Sequence, residues 1–318
     1  MKPVPALEAR ILLSRSPGAS DEHEAWAAAA APERDEAFRV ARRLERIGVR
    51  TLPRDEADYP TGLRDLADAP RVLFVRGRLP ERDRTVAIVG SRAASPYGLA
   101  QAESLAADLA RAGCVVVSGL ARGIDAAAHR GALAVGGASV AVLPGGLDAV
   151  TPRHHAALAE SLCVRGGLVS ERASGPPQPW VFLERNRLIA ALAAVTVVVE
   201  AAVRSGALST AAAARRLRRP VLAVPGDVDR ETSRGTHALL RAGAGWCERA
   251  GDVLRVLDGG GADAGSRLRA ALAVAPRTAD ELASAAGLRV DETLALLLEL
   301  EWAGAAEPLP GQRWRRAS

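Results

Sequence analysis

The chain has 318 residues, of which 48% are hydrophobic and 25% charged, so it can form two or three domains with buried cores. No apolar run reaches about 18 residues without a charge, and the first 15 residues lack the sections of a signal peptide, which excludes a membrane span and predicts a cytoplasmic protein. The net charge of +5 is concentrated in residues 86–257, where 19 Arg face 13 acidic residues, so a polyanion should prefer this region.

The N-terminal region, residues 1–80, is predicted to be a small helical unit with a connector. Residues 10–48 are rich in Ala, Arg and Glu, which favour helices. The segment Tyr59 to Gly77 is interpreted as an irregular connector, because Pro60 and Pro70 break regular structure.

The central region, residues 81–258, alternates short apolar strands with helical stretches. Strands without polar alternation are typical of a parallel sheet that is covered on both faces. This predicts an α/β domain with a doubly wound, mostly parallel (Rossmann-like) sheet. The predicted strands are Val86–Gly90, Cys114–Ser118, Ser139–Leu143, Val195–Val199 and Val221–Val224.

The C-terminal region, residues 262–318, follows a Gly linker at 259–261 and has a winged-helix pattern. Three helices are predicted: the first spans Ser266 to Val274, a capping box opens the second at Thr278, and the third ends at Trp302. The third helix contains four acidic residues and no Arg, so we expect protein contacts here rather than DNA contacts.

Small residues and arginines recur where the strands of the central region end. In an open α/β sheet, ligands bind outside the carboxyl ends of the strands. Glycines let the backbone approach a ligand, and helix N-termini attract anions. These strand ends therefore predict an anion-binding crevice formed by Gly90, Ser91, Arg92, Ser118, Gly119, Arg122, Gly145, Gly146, Ser205 and Gly206.

Further cations follow in the same region. Arg153 lies after the Gly145-Gly146 loop, and Arg185-Asn186-Arg187 lies on a predicted helix. Each is a candidate phosphate contact, while Phe182 is interpreted as a core residue rather than a base-stacking platform. The spacing of Asp125 and His129 permits a structural ion pair on one helix face.

Common catalytic and cofactor motifs are absent. The glycines do not follow G-x-G-x-x-G, no G-x-x-x-x-G-K-[ST] loop occurs, and no nucleophile or acid–base pair stands out. The three cysteines are too far apart for a zinc site. We predict no cofactor and no metal.

Many motifs, in order, resemble the DNA processing protein A family (DprA, also called Smf) over about residues 59–257. They are Val86 to Arg92, Ser118-Gly-Leu-Ala-Arg-Gly-Ile-Asp125, Ala141-Val-Leu-Pro-Gly-Gly-Leu-Asp148, Arg185-Asn-Arg187, Ser205-Gly-Ala-Leu-Ser-Thr-Ala211 and Gly235 to Ala244.

This resemblance implies a protein that binds single-stranded DNA, forms a homodimer, and helps load the RecA recombinase during natural transformation. It implies no enzymatic activity, and it assigns the grip on the DNA backbone to Gly90-Ser91-Arg92. The N-terminal region lacks the family's helix-hairpin-helix signature, so no DNA binding is assigned to it.

Two alternatives remain. One is a nucleotide-hydrolysing enzyme of related fold, although its Gly-Gly-x-Gly-Thr-x-x-Glu pattern is missing after Gly145-Gly146. The other is a sensor that binds a free nucleotide in the same crevice.

Overall fold

A computed structural model of the protein describes residues 6–16, 18–79, 84–258, 268–272 and 276–317. The chain divides into two compact units, Met1–Leu254 and Arg255–Ser318. The predicted Gly linker at 259–261 and both ends of the predicted helix Ser266–Val274 lie outside the described residues. No helix among the described residues is long and apolar enough to cross a membrane.

The first unit is built on a nine-stranded sheet. Its strands are β1 (Val49–Pro53), β2 (Val72–Gly77), β3 (Thr85–Val89), β4 (Val115–Ser118), β5 (Ser139–Val142), β6 (Gly167–Ser170), β7 (Val195–Val198), β8 (Val221–Ala223) and β9 (Gly245–Trp246). Its helices are α1 (Ala6–Arg15), α2 (Glu22–Ala28), α3 (Ala31–Arg46), α4 (Thr61–Arg64), α5 (Pro96–Arg111), α6 (Ile124–Ala134), α7 (Ala156–Arg165), α8 (Val181–Leu192), α9 (Ala207–Arg216), α10 (Glu231–Arg241) and α11 (Ala250–Leu257).

The strand order is β1-β2-β6-β5-β4-β3-β7-β8-β9. The strands from β6 to β9 in this order are parallel neighbours, whereas β1 and β2 join the β6 edge as antiparallel strands. The chain winds outward from β3 to β6 and then returns to the other side of β3 as β7. The doubly wound, mostly parallel fold is thus confirmed, and its topological switch point lies between β3 and β7.

Both faces of the sheet are buried, which explains the unbroken apolar strands. On β5, Val140 and Val142 belong to the cluster that packs against α8 and α9, while Ala141 belongs to the cluster that packs against α1 and α3. Successive side chains of a strand point to opposite faces, so a strand covered on both sides has no polar alternation.

The interpretation of residues 59–77 as an irregular connector is wrong in part. Val72–Gly77 forms β2, which pairs with β6, and β1 adds a further strand that the sequence pattern did not indicate. The Tyr59 hydroxyl donates a buried hydrogen bond to the Pro70 carbonyl (2.7 Å), so the segment between the strands is an ordered turn. The N-terminal region is therefore not only helical but extends the central sheet.

The second unit has the winged-helix fold that the pattern predicted. Helices Ala279–Ala286 and Val290–Trp302 pack with a three-stranded sheet of β10 (Arg277–Thr278), β11 (Ala306–Leu309) and β12 (Arg313–Arg316). The capping box is confirmed, since Thr278 Oγ1 accepts from Glu281 N (3.3 Å) and Glu281 Oε2 accepts from Thr278 N (2.8 Å).

Candidate functional site

A crevice of about 740 Å³ opens at the switch point, over the carboxyl ends of β3 and β7. The helices that follow the two strands at a switch point pack on opposite faces of the sheet. The loops that lead into them therefore separate, which leaves a crevice outside the carboxyl ends of the strands. The crevice is lined by Val89, Gly90, Ser91, Arg92, Ala93, Ala121, Asp125, Pro177, Pro179, Phe182, Leu183, Arg185, Asn186, Ile189, Ala202, Arg204, Ser205, Gly206, Ala207 and Thr210.

Arg92 stands exposed at the tip of the loop that follows β3. Its guanidinium carbon lies 5.0 Å from the ring centroid of Phe182, which is a cation–π distance. Arg92 has no carboxylate partner among the described residues. Phe182 is half-exposed on the crevice wall, so its interpretation as a core residue is wrong. An unpaired guanidinium and an aromatic ring therefore share one wall.

Arg204 is a second exposed cation of the crevice, and the sequence analysis missed it. It directly precedes Ser205 and Gly206, which were identified as a strand-end loop. The signal that would have found it is the one used for Arg92, an arginine next to small residues after a buried strand. Within the described part of the chain, Arg204 has no carboxylate partner either.

The N-terminus of α9 opens into the crevice through Ser205, Gly206 and Ala207. Asn186 supports it from α8, because its Nδ2 donates to the Gly206 carbonyl (3.0 Å) and to Ser209 Oγ (2.8 Å). A Cβ at Gly206 would meet only Leu183, at 3.5 Å, so the turn is open toward the crevice. The first N–H groups of α9 are used within this turn, since Ala207 N donates to Ser205 Oγ (3.3 Å) and the next two N–H groups donate to the carbonyls of Ser205 and Gly206.

Arg185 is buried in the crevice floor, with 4% of its surface exposed. Its Nη1 donates to the carbonyls of Gly119 (2.8 Å) and Val142, and its Nε donates to Asn186 Oδ1 (3.2 Å). Burial lowers the pKa of Arg185 to about 10, while nearby Asp125 counteracts this shift. These bonds tie the ends of β4 and β5 to α8, so Arg185 positions the loops.

Asp125 is the carboxylate that accompanies this buried arginine. Its Oδ2 accepts from the backbone N–H groups of Gly119 (3.1 Å) and Ala121 (3.3 Å). Burial raises the pKa of Asp125, and the Arg185 charge opposes that shift. A Cβ at Gly119 would overlap the Arg185 guanidinium, so glycine here makes room for an internal side chain rather than for a ligand.

A second carboxylate fills the N-terminus of α5. Glu200, at the end of β7, accepts from the Ser95 backbone N–H (2.9 Å) and from the Ser95 hydroxyl (2.5 Å). A Cβ at Gly98 would lie 2.5 Å from the Glu200 carboxyl carbon, so only glycine leaves room for it. In dinucleotide-binding folds the first βα turn receives the pyrophosphate. Here the carboxylate of Glu200 occupies that position.

Besides Gly119, the structure places four further predicted site residues away from the crevice surface. Ser118 is fully buried and donates to the Ile88 carbonyl (2.6 Å). Gly145 and Gly146 are buried under residues 174–177, where a Cβ would clash with Gly175, Pro177 or Ser174. Arg187 forms ion pairs with Asp68 (2.6 Å) and Glu171 (2.8 Å) and lines a different groove. None of these side chains is free to meet a ligand in the crevice.

Arg122 and Arg153 are exposed beyond the crevice lining. Arg122 follows β4 and Arg153 follows the loop after β5, so both lie at the carboxyl edge of the sheet. The described residues offer neither of them a carboxylate partner. They extend the positive charge of the crevice rim along the same edge.

His129 does not pair with Asp125, contrary to the ion pair that their spacing permits. Its Nδ1 lies 2.7 Å from Ser139 Oγ, which itself donates to the Val116 carbonyl, so Nδ1–H is the donor. Burial lowers the pKa of His129 to about 3. The imidazole is therefore neutral and structural.

Two family models match the chain. The one described as DNA recombination-mediator protein A covers residues 50–258, and the one described as the DprA winged helix domain covers residues 260–312. The putative DNA processing protein DprA of Mycobacterium tuberculosis is 42% identical over 304 residues, which cover 86% of this chain and 78% of that protein. Protein Smf of Escherichia coli is 39% identical over 298 residues, with coverages of 86% and 80%.

Two solved structures are also similar. DNA processing protein A from Streptococcus pneumoniae has a TM-score of 0.64 and 32% identity, covering 74% of this chain and 82% of that one. The protein from Helicobacter pylori, described for its single-stranded DNA binding mode, has a TM-score of 0.60 and 30% identity, covering 66% and 96%. The matches confirm the resemblance drawn from the sequence motifs.

Proposed function

Since this chain belongs to the DNA recombination-mediator protein A family, we propose that it binds single-stranded DNA in the crevice at the switch point, protects it, and helps load the RecA recombinase onto it. The described binding mode of the Helicobacter pylori relative supports the choice of ligand. The proposal includes no catalytic step.

The observation that carries the proposal is the pairing of Arg92 with Phe182 in the crevice wall. Single-strand binding proteins combine cations for the backbone with aromatic rings on which bases stack. Arg204 lines the same crevice and adds a second exposed phosphate donor. Trp180, 61% exposed, precedes α8 and is a further exposed aromatic side chain two residues before Phe182 in the chain.

The predicted site residues then divide by role. We propose that Ser91, Arg92, Arg122, Arg153, Ser205 and Gly206, together with Arg204, contact the DNA, while Gly90 lets the loop pack closely against Ile124 and Glu200. We assign Gly119, Gly145, Gly146, Arg185 and Asn186 to shaping the loops, since their polar groups or space are used within the protein. Ser118 and Arg187 are left out because each is bonded to protein partners.

The alternative of a free-nucleotide ligand is less well supported. A mononucleotide or dinucleotide would need a helix N-terminus for its phosphates, and Glu200 occupies that position at α5. The remaining donors are spread along an open edge rather than gathered around one phosphate group. This distribution suits an extended strand.

A filter-binding assay tests the proposal. Labelled oligo(dT) is expected to bind, and neither a nucleoside monophosphate nor duplex DNA of equal length should displace it efficiently. The affinity should fall as salt rises, because phosphate contacts release counterions. Displacement by the monophosphate at concentrations comparable to the oligonucleotide would instead favour the nucleotide-binding alternative.

RecA loading and homodimer formation are separate parts of the proposal. Light scattering should give twice the chain mass at micromolar concentration. The protein should also increase the DNA-dependent ATP hydrolysis of RecA on DNA that is covered by a single-strand binding protein. An unchanged rate with a protein that still binds oligo(dT) would remove RecA loading from the proposal and leave DNA binding in place.

A further inference from the structure

Four arginines form a basic ridge on α3: Arg39, Arg42, Arg43 and Arg46. Their successive spacings of three, one and three residues place them on one face of the helix, and all four are exposed. The opposite face, with Ala37, Val40, Ala41 and Leu44, is buried in the core. Together with Glu45, these side chains form an open patch on the surface of the helix.

Two of the four ridge arginines form ion pairs with described residues and two do not. Arg39 pairs with Glu36 (2.8 Å) and Arg43 pairs with Asp148 (2.8 Å). Arg42 and Arg46 have no carboxylate partner within the described ranges. Like charges three or four residues apart destabilise a helix by a few tenths of a kcal/mol per pair. A bound polyanion would neutralise these positive charges and so remove the repulsion between them.

Asp148 links the ridge to the carboxyl edge of the sheet. Its side chain is only 2% exposed, and it accepts from Arg43 Nη1 through Oδ2 and from the Gly175 N–H through Oδ1 (2.9 Å). It belongs to the loop after β5, and the exposed Arg153 follows five residues later. The ridge is thus joined to the edge along which the proposed DNA contacts lie.

We propose that the α3 ridge binds the backbone of single-stranded DNA that continues beyond the crevice. This inference rests on the proposed function, and it assigns DNA binding to the N-terminal region, where the sequence analysis assigned none. From Arg39 to Arg46 the helix rises about 10 Å, enough for about two consecutive phosphates of an extended strand. A membrane is a poor alternative ligand, because the apolar face that an interfacial helix would insert is buried here.

The test compares two triple variants on oligo(dT) of two lengths. The ridge variant carries Arg39→Gln, Arg42→Gln and Arg46→Gln and keeps Arg43, which bonds to Asp148. The control variant carries Arg111→Gln, Arg216→Gln and Arg241→Gln, in the last turns of α5, α9 and α10, where the chain returns to the amino ends of the strands. Both lose the same charge, and thermal unfolding verifies that each is folded.

Fluorescence anisotropy measures Kd on a long oligonucleotide of about 30 nucleotides and on a short one of about six, which is within the range of a single binding groove. The ridge variant should bind the long strand at least tenfold more weakly and the short strand within about twofold of wild type. The slope of its salt dependence on the long strand should fall by about 1.4, since each of about two phosphate contacts on a single strand contributes about 0.7. The control should match wild type on both.

Three outcomes overturn the inference. Equal affinity of the ridge variant and wild type for the long strand removes the ridge from the DNA path. If the ridge variant loses as much affinity for the short strand as for the long one, the arginines act only through general charge attraction. The same conclusion follows if the control variant loses as much affinity as the ridge variant. If Arg92→Ala weakens binding while the ridge variant does not, the proposed function stands and only the ridge fails. If wild type binds neither strand, the proposed function itself fails.

Discussion

Replacing Arg92 with Ala removes a guanidinium that lies over the Phe182 ring in the crevice wall and has no carboxylate partner in the described part of the chain. A hydrogen bond to a charged group contributes about 1.5–3 kcal/mol, and an exposed one is near the lower limit. Because Arg92 is exposed, we expect the Kd for oligo(dT) to rise about tenfold, and the salt slope to fall by about 0.7. The lost cation–π contact should cost about 0.5–1 kcal/mol of folding stability, so the variant should stay folded.

Anisotropy titrations of wild type, Arg92→Ala and Arg92→Lys measure this effect. Lysine keeps the charge but loses the forked donor, so its Kd should lie between the other two. Arg111→Ala is the matched control, since Arg111 is also exposed, lies at the C-terminal end of α5, and bonds to Asp108 (2.6 Å) in the same turn. Equal affinity of Arg92→Ala and wild type would refute the assignment, and so would an equal loss in Arg111→Ala.

Three further predictions concern folding and domain roles. The pKa of His129 is about 3 in the folded protein against 6.5 for an ordinary histidine, so the unfolded state takes up a proton as pH falls from 6.5 toward 3 and folding stability is lost in that window. Urea unfolding at pH 7 and at pH 5 measures this effect. The free energy of unfolding of wild type should fall by about 2 kcal/mol more than that of His129→Asn between these pH values. An equal fall in both proteins would contradict a buried neutral imidazole. Gly119→Ala should cost about 3 kcal/mol of unfolding free energy because its methyl displaces the Arg185 guanidinium, whereas Gly206→Ala, with only Leu183 nearby, should cost under about 1 kcal/mol. Truncation after residue 261 should leave oligo(dT) affinity within about tenfold, because the helix Val290–Trp302 is acidic; a larger loss would assign DNA contacts to the C-terminal unit.

Local patterns in the sequence were sufficient for features whose partners are near in the chain. The capping box at Thr278 joins residues three apart, and the valine-rich strands β3 and β7 show their burial directly, because a strand covered on both faces needs apolar residues throughout. The small residues after these strands also indicated the correct edge of the sheet. These features were enough to predict the fold class and the general place of the crevice.

The sequence could not distinguish arginines that differ only in their distant partners. Arg92, Arg185 and Arg187 have the same chemistry, yet one is exposed over Phe182, one is bonded to buried carbonyls, and one pairs with an aspartate 119 positions earlier. The strand β2 was missed for a similar reason, since its partner β6 lies more than 90 residues away.

Glycines were ambiguous in the same way. Gly206 is open toward the crevice, whereas Gly119 and Gly146 make room for protein atoms from distant segments. The sequence alone therefore determined five strands of the parallel sheet and the fold class, and it predicted the edge at which a polyanion would bind. The tertiary structure decided which donors are free, because hydrogen bonds and ion pairs between distant residues remove some of them from the surface and leave Arg92 and Arg204 exposed.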